Sequence, residues 1–246
     1  MRIEDEYLIL DDNDIPKKLK KITGHPFVDL LGFNKYTKRG DAVLSLLKLY
    51  KSDFDNKYMY RGEMAERMIG FILKKQGKDF VYHDETDKKN NDYDFFPKYA
   101  EMGGIPDFEI PSEKTIHEVK GKSMKDYEKV KAEPPKHEVY QGKLYAYLRD
   151  WDYLIMDWVF FDEESENLLF QNKKPKTLDN CKILQKKYKI NKDEMLDFVI
   201  EATSYYRDCV NKKKILLSDI SPKVLKALNL SKEDNQWKLV GNVGRD

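Results

Sequence analysis

Two short motifs constrain this chain more than any other feature: Gly104-Ile105-Pro106-Asp107-Phe108 and, after a turn, His117-Glu118-Val119-Lys120-Gly121. A strand sends successive side chains to opposite faces, so Glu118 and Lys120 project together while Val119 turns into a core. Asp107 lies on the preceding segment, and Pro111-Ser112-Glu113-Lys114 has the turn chemistry to fold that segment back as a hairpin. Two carboxylates and an ammonium then meet on one surface. Carboxylate oxygens suit a hard divalent cation. An ammonium beside them can hold or polarise a water, or offset charge on a phosphoryl group. Taken alone, Glu-x-Lys is equally the pattern of a solvated ion pair, and 36% of this chain is Asp, Glu, Lys or Arg.

Two helical patterns add to the hairpin. In the run from Arg61 to Gly77, Ala65, Met68, Ile69, Ile72 and Leu73 make an apolar stripe at helical spacing. Glu66 sits at the edge of that stripe, where a carboxylate is poorly solvated and needs a partner such as a cation. Glu63 falls further round the helix, beside Arg67, where an ordinary surface ion pair is expected. In the run from Glu138 to Leu148, Gln141, Tyr145 and Leu148 share a face. An amide and a phenol there suit the orientation of a water or a phosphate oxygen, although an amphipathic helix with a packed Tyr reads the same way.

Taken together, these residues resemble the PD-(D/E)XK nuclease superfamily, and more closely its RecB-like branch, which adds a Gln-xxx-Tyr motif. The N-terminal part narrows the resemblance. Ile22-Thr23-Gly24, the stretch Leu31-Gly32-Phe33-Asn34-Lys35-Tyr36, a helical run over 41–50 and Arg61-Gly62-xxx-Glu66 are similar to the phage lambda-type exonuclease (viral recombinase nuclease) family. The resemblance spans residues 22–161. It implies an α/β fold with a restriction-endonuclease-like core: a small mixed sheet flanked by helices, with helical additions at both ends. It implies that Asp107, Glu118 and Lys120 form the metal-binding and catalytic centre, that Glu66 is a further acidic ligand, and that Gln141 and Tyr145 are the Gln-xxx-Tyr pair. The implied cofactor is Mg2+, with Mn2+ able to substitute. The implied substrate is DNA at double-stranded ends. The implied assembly is a homo-oligomer, a ring-shaped trimer, working with a single-strand annealing protein in phage-type recombination. The chain departs from the family at His25-Pro26, which replaces small polar residues at a turn expected near the DNA end.

Composition sets wider bounds. At 246 residues the chain reads as one nuclease domain, with a core over 58–161, an N-terminal helical part over 1–57 and a C-terminal helical part over 171–246. No apolar run approaches a transmembrane length, and the acidic start lacks a signal-peptide core. With only Cys181 and Cys209, the chain cannot supply the four thiolates of an iron–sulphur cluster, and a cytoplasmic setting is expected. The four histidines, His25, His83, His117 and His137, show no zinc-ligand spacing. Net charge is only +1, but basic clusters at 17–21, 173–176, 186–189 and 212–214 could form a local phosphate-binding channel or, as readily, solvated faces.

Along the chain, short helices are expected up to residue 60. A first strand is expected over 79–83 and an exposed loop over 84–94. A polar connection over 123–137 should carry a short helix around 126–131. The strongly apolar run Tyr153-Leu-Ile-Met-Asp-Trp-Val-Phe-Phe161 should be a strand, with 168–170 returning as its hairpin partner. Helices are expected over 178–188 and 192–211, and Ser221-Pro222 should start another. Three functions compete. The first is a Mg2+-dependent exonuclease. The second is an endonuclease of the same superfamily, restriction or structure-specific. The third is an inactive DNA-binding or assembly protein, against which the complete set Asp107, Glu118 and Lys120 argues.

Overall fold

The computed structural model describes residues 1–51, 56–83, 89, 94–171, 180–233 and 236–239, with the backbone alone at 56, 57 and beyond 229. In chain order the described elements begin with β1 (Arg2–Glu4), β2 (Tyr7–Ile9), α1 (Gly24–Leu30), α2 (Arg39–Leu46) and α3 (Asn56–Lys75). Then follow β3 (Phe108–Ile110), β4 (Thr115–Ser123), α4 (Tyr127–Ala132), α5 (Lys136–Leu148), β5 (Tyr153–Phe161) and α6 (Glu163–Phe170). The chain continues with β6 (Lys182–Lys189), α7 (Lys192–Lys212), β7 (Lys214–Leu216), α8 (Pro222–Ala227), β8 (Leu230–Glu233) and β9 (Gln236–Leu239). The fold is mixed α/β, and its residues group into two compact units: 53–99 with 103–195, and 1–52 with 100–102 and 196–246.

The first of these units is built on a four-stranded sheet in the order β3-β4-β5-β6. β3 and β4 are antiparallel, β4 and β5 parallel, and β5 and β6 antiparallel. β5 lies between two neighbours, and its Trp158, Val159, Phe160 and Phe161 are fully buried. This is why its sequence is apolar almost without alternation. Ala65, Ile69 and Leu73 of α3 pack with Phe108, Ile110, Val119, Val159 and Phe161 of the sheet, and Leu169 of α6 joins them. The turn from β3 to β4 runs through Pro111–Glu113 and closes on Lys114, whose φ of 46° is left-handed.

Several expectations change here. The segment over 79–83 makes a single two-way bridge, Val81 to Glu109, and no strand. Most of 84–94 lies outside the described residues. The hairpin expected at 168–170 is instead helix α6. Asp162 caps it by accepting from Ser165 N at 2.8 Å, and Glu163, Glu164 and Glu166 occupy the first turn, where the helix dipole favours negative charge. The helix expected over 178–188 is, where described, the edge strand β6. Its Leu184, Lys186 and Tyr188 are half-buried, alternating with exposed Gln185, Lys187 and Lys189. That period of two overrides helix propensity, and lysines on an edge strand discourage pairing with another chain. Helix α4 falls where a short helix was expected, and β5 has the expected bounds.

The second unit holds a three-stranded antiparallel sheet, β1-β2-β7, in a part of the chain expected to be helical. Around it are α1, α2, α8 and the larger part of α7. Ser221 caps α8 by accepting from Val224 N, with Pro222 in the first turn. His25 and Pro26 lie in the first turn of α1, after Thr23 at its N-cap. Cys181 and Cys209 are free thiols. Among the described residues no helix is long and apolar enough to cross a membrane.

Asp29, near the end of α1, is 8% exposed and accepts a 2.9 Å hydrogen bond from Asn34 Nδ2. Burial pushes its carboxyl from 3.8 up to about 6; the Asn34 hydrogen bond opposes the shift and the nearby charge of Asp41 adds to it. A carboxyl with a raised folded-state pKa contributes most stability below its unfolded value of 3.8, and that contribution is lost as pH rises through about 6. Asp29→Asn keeps the acceptor for Asn34 without the charge. It should match the parent at about pH 3 and exceed it at pH 7 by roughly 2–3 kcal/mol in urea denaturation. A difference that does not change with pH would contradict this.

Candidate active site

Extending the β3–β4 register by one residue beyond the pair Phe108–His117 sets Asp107 opposite Glu118. Asp107 Oδ2 accepts from Val119 N at 2.7 Å, which fixes the carboxylate against the strand that carries Glu118 and Lys120. Glu118 is 1% exposed. Its Oε1 accepts from Lys120 Nζ at 2.7 Å and from Gln141 Nε2 at 2.8 Å. Its Oε2 is buried and has no hydrogen-bond partner among the described residues. The sequence-derived set of Asp107, Glu118, Lys120 and Gln141 is therefore brought together.

Electrostatics follow from that burial. Desolvation pushes the Glu118 carboxyl above the ordinary carboxylate range; the charge of Asp107 adds to the shift, Lys120 opposes it, and Glu66 adds a smaller part. Burial alone would weaken the Lys120 ammonium, but the charges of Glu118 and Asp107 outweigh it and hold Lys120 protonated. Glu66 thus lies within electrostatic reach of Glu118. It is half-buried, and Tyr82 OH donates to its Oε2 at 3.4 Å. Glu63 is exposed and stands 4.0 Å from Arg67, as a surface pair.

Helix α5 supplies the other wall. Gly142 lets it close on the sheet: a Cβ there would lie 2.6 Å from Leu154 Cδ1 and 3.0 Å from Glu118 Cβ. Tyr145 is 4% exposed and stacks on Phe96, with centroids 6.0 Å apart at 11°. Burial, with the charge of Glu118, raises its phenol well above the ordinary tyrosine range, while a hydrogen bond with Gln141 opposes the shift. Tyr145 also presses on Gly104, three residues before Asp107.

Reading the sequence alone misses a second layer. Lys122 continues the Glu118–Lys120 face and pairs with Glu138, which also accepts from Trp158 Nε1 at 2.7 Å. Burial works against ionisation of Glu138, yet Lys122 and Trp158 hold its carboxyl below the usual range. Buried Glu109 pairs with half-buried Arg149. The i, i+2 spacing of Lys122 and the i+4 spacing of Arg149 after Tyr145 were the signals available. His117 points to the other face of the sheet, as expected, and its Nδ1 lies 2.7 Å from buried Asp157.

Among the described residues no three histidine, cysteine or carboxylate groups are arranged to hold one metal ion between them. The donor chemistry still fits a hard cation. Asp107, Glu118 and Glu66 offer only oxygens, and buried Glu118 Oε2, without a hydrogen-bond partner among the described residues, is an acceptor that a cation would satisfy.

No known family model matches the chain. Among curated proteins it is similar to the uncharacterized protein MG373 homolog of Mycoplasma pneumoniae, at 30% identity over 111 residues, 44% of this chain and 38% of that protein. It is likewise similar to the uncharacterized protein MG373 of Mycoplasma genitalium, at 33% identity over 91 residues, 37% of this chain and 31% of that protein. The match thus covers well under half the length of either relative. Solved structures share the fold over most of the chain. The alkaline exonuclease LHK-Exo of Laribacter hongkongensis superposes with a TM-score of 0.55 at 14% identity, covering 82% of this chain and 94% of that one. A phage related exonuclease of Haemophilus somnus 129PT gives 0.52 at 18% identity, covering 79% and 96%. LHK-Exo in complex with dAMP gives 0.52 at 14% identity, covering 78% and 89%. The architecture is therefore the one these exonucleases carry, in line with the resemblance read from the motifs.

Gly104 gives a direct check of this geometry. Its φ is +136°, and a Cβ would lie 2.4 Å from Tyr145 Cε1. Gly104→Ala should lower stability by roughly 2–4 kcal/mol, from backbone strain together with overpacking. Chemical denaturation measures this, and a loss below about 0.5 kcal/mol would show that the contact yields easily.

Proposed function

We propose that this chain is a metal-dependent nuclease that hydrolyses phosphodiester bonds of DNA, acting as an exonuclease from duplex ends in phage-type recombination. The observation that carries the reading is the buried Glu118, with one oxygen unpartnered among the described residues, set beside Asp107 and Lys120 and under Gln141. Sharing a fold with solved exonucleases supports the class of reaction.

Asp107 and Glu118 would hold a divalent cation, Mg2+ or in its place Mn2+, with Glu66 reaching it directly or through water. Such an ion, when bound, supplies Lewis acidity and lowers the pKa of water. The residues of the chain do the rest. Lys120, held protonated, offsets charge gathering on the phosphoryl oxygens or orients the attacking water. Gln141 keeps Glu118 Oε1 in place. Tyr145, held as the neutral phenol, closes the wall beside Asp107. No covalent enzyme intermediate is required. The protein works on DNA as a ring-shaped homotrimer, with a single-strand annealing protein as partner. Light scattering coupled to size exclusion tests the ring, and a monomer at all concentrations would remove it.

In Mg2+, Asp107→Ala and Glu118→Ala should abolish hydrolysis of linear duplex DNA while the fold persists by circular dichroism. Near-parental turnover in either would sink the centre. Lys120→Ala should lower turnover far more than DNA affinity, since one ammonium is a small part of a many-phosphate contact. Glu66→Gln should lower activity sharply and Glu63→Gln little. Cleavage of covalently closed circles as fast as of linear DNA would replace the exonuclease reading with the endonuclease one.

Occupancy of the site has its own measurement. Mn2+ should raise the thermal midpoint of the parental protein, since a ligand at about a hundred times its dissociation constant stabilises by about 2.7 kcal/mol. The rise should vanish in Glu118→Gln, and an undiminished rise there would place the cation elsewhere.

A further inference from the structure

Gln141, Tyr145 and Arg149 recur at every fourth position of α5 and its C-cap, so they lie along one line of the helix. The first two serve the candidate centre. Arg149 has no part in the chemistry, yet its guanidinium is held by several partners. Its Nε donates to Glu109 Oε2 at 2.6 Å and its Nη2 to Glu109 Oε1 at 2.8 Å, a two-armed grip on a carboxylate that is 5% exposed. Its Nη1 donates to Phe95 O at 3.1 Å. The same guanidinium lies 4.6 Å over the ring of Phe96. His83 Nε2 completes the group, 3.0 Å from Glu109 Oε1.

Each of these partners leads back to the centre. Glu109 is two residues after Asp107 on the same strand edge and therefore shares its face. Phe95 N donates to Gly104 O at 3.0 Å, three residues before Asp107. Phe96 stacks on Tyr145. One guanidinium thus ties together the segment before Asp107, the segment after it and the wall that carries Tyr145. A lone counter-ion for Glu109 would need none of the contacts to 95 and 96.

We infer that Arg149 is a positioning residue, which acts through Glu109 and through the Phe96–Tyr145 stack to hold Asp107 and Tyr145 in their working geometry. The inference rests on the metal-dependent hydrolysis proposed above and goes beyond it by assigning a residue outside the motifs.

Arg149→Met alone takes the guanidinium from buried Glu109 and leaves it His83, at a cost of up to about 3–5 kcal/mol, so lost activity there would not separate positioning from unfolding. Arg149→Met/Glu109→Gln removes both charges, and Arg149→Lys keeps the charge while losing the fork. For both variants the thermal midpoint, Mn2+ affinity by calorimetry and kcat on linear duplex DNA are measured. Thermal midpoints should stay near the parental value, while Mn2+ affinity and kcat each fall roughly tenfold or more. Any variant whose losses vanish once its thermal midpoint equals that of the parent overturns the inference. Should the parent bind Mn2+ yet cleave no DNA, the functional reading fails, and the Mn2+ affinities of the variants still decide the role of Arg149. A parent that binds no Mn2+ sinks both.

Discussion

A carboxylate removed from water is the constraint around which one unit of this molecule is arranged. Glu118 is 1% exposed, in the middle strands of a sheet whose other face is packed with apolar side chains. In such a place a charged group is tolerated only if it is paired, hydrogen-bonded or neutralised. Lys120 and Gln141 converge on one of its oxygens, and the other is left without a partner among the described residues. The close approach of α5 at Gly142 follows from the same need, because a Cβ there would push the helix away from Glu118 and with it the amide of Gln141.

The two faces of the sheet divide the labour. Toward α3 and α6, alternate residues of β4 and β5 such as Val119, Val159 and Phe161 build a dry core. Toward α5, the intervening residues Glu118, Lys120 and Lys122 meet Glu138 and Gln141. Glu66, at the margin of the α3 stripe, reaches from the apolar side into the field of Glu118. A single strand with period two can serve both functions because a one-residue slip would exchange them entirely. The strong core on one side thereby fixes the register that the polar side requires.

This division also explains what the sequence made legible. Short-range patterns survived: the hairpin turn at Pro111, the Glu118–Lys120 alternation, the stripe of α3, the apolar run of β5 and the Ser221-Pro222 helix start. Each is a local periodicity or a local cap. Failures came where two local patterns competed. Residues 168–170 read as a returning strand across a turn at 162–167, but Asp162 and the acidic first turn made a helix over the whole run. The stretch 178–188 read as helix, yet the alternation of 182–189 suited an open sheet edge beside β5. The three-stranded sheet of the other unit joins residues 2–9 with 214–216, a pairing across nearly the whole chain that no local window contains.

The polar contacts around the centre show the same split between motif and context. Asp107, Glu118, Lys120, Gln141 and Tyr145 are visible because their spacing is set by one hairpin and one helix. Glu109, Arg149 and Phe96 are not, because the contacts that join them, from Arg149 to Glu109, Phe95 O and the Phe96 ring, are set by tertiary packing. Motif residues name the chemistry, but a centre of carboxylates repels itself, and its geometry must be held from outside. Half-buried Arg149 does this through buried Glu109, because the fork of the guanidinium fixes the orientation of its partners. Charge that would be idle on the surface becomes, one layer behind the centre, a means of holding other charges still.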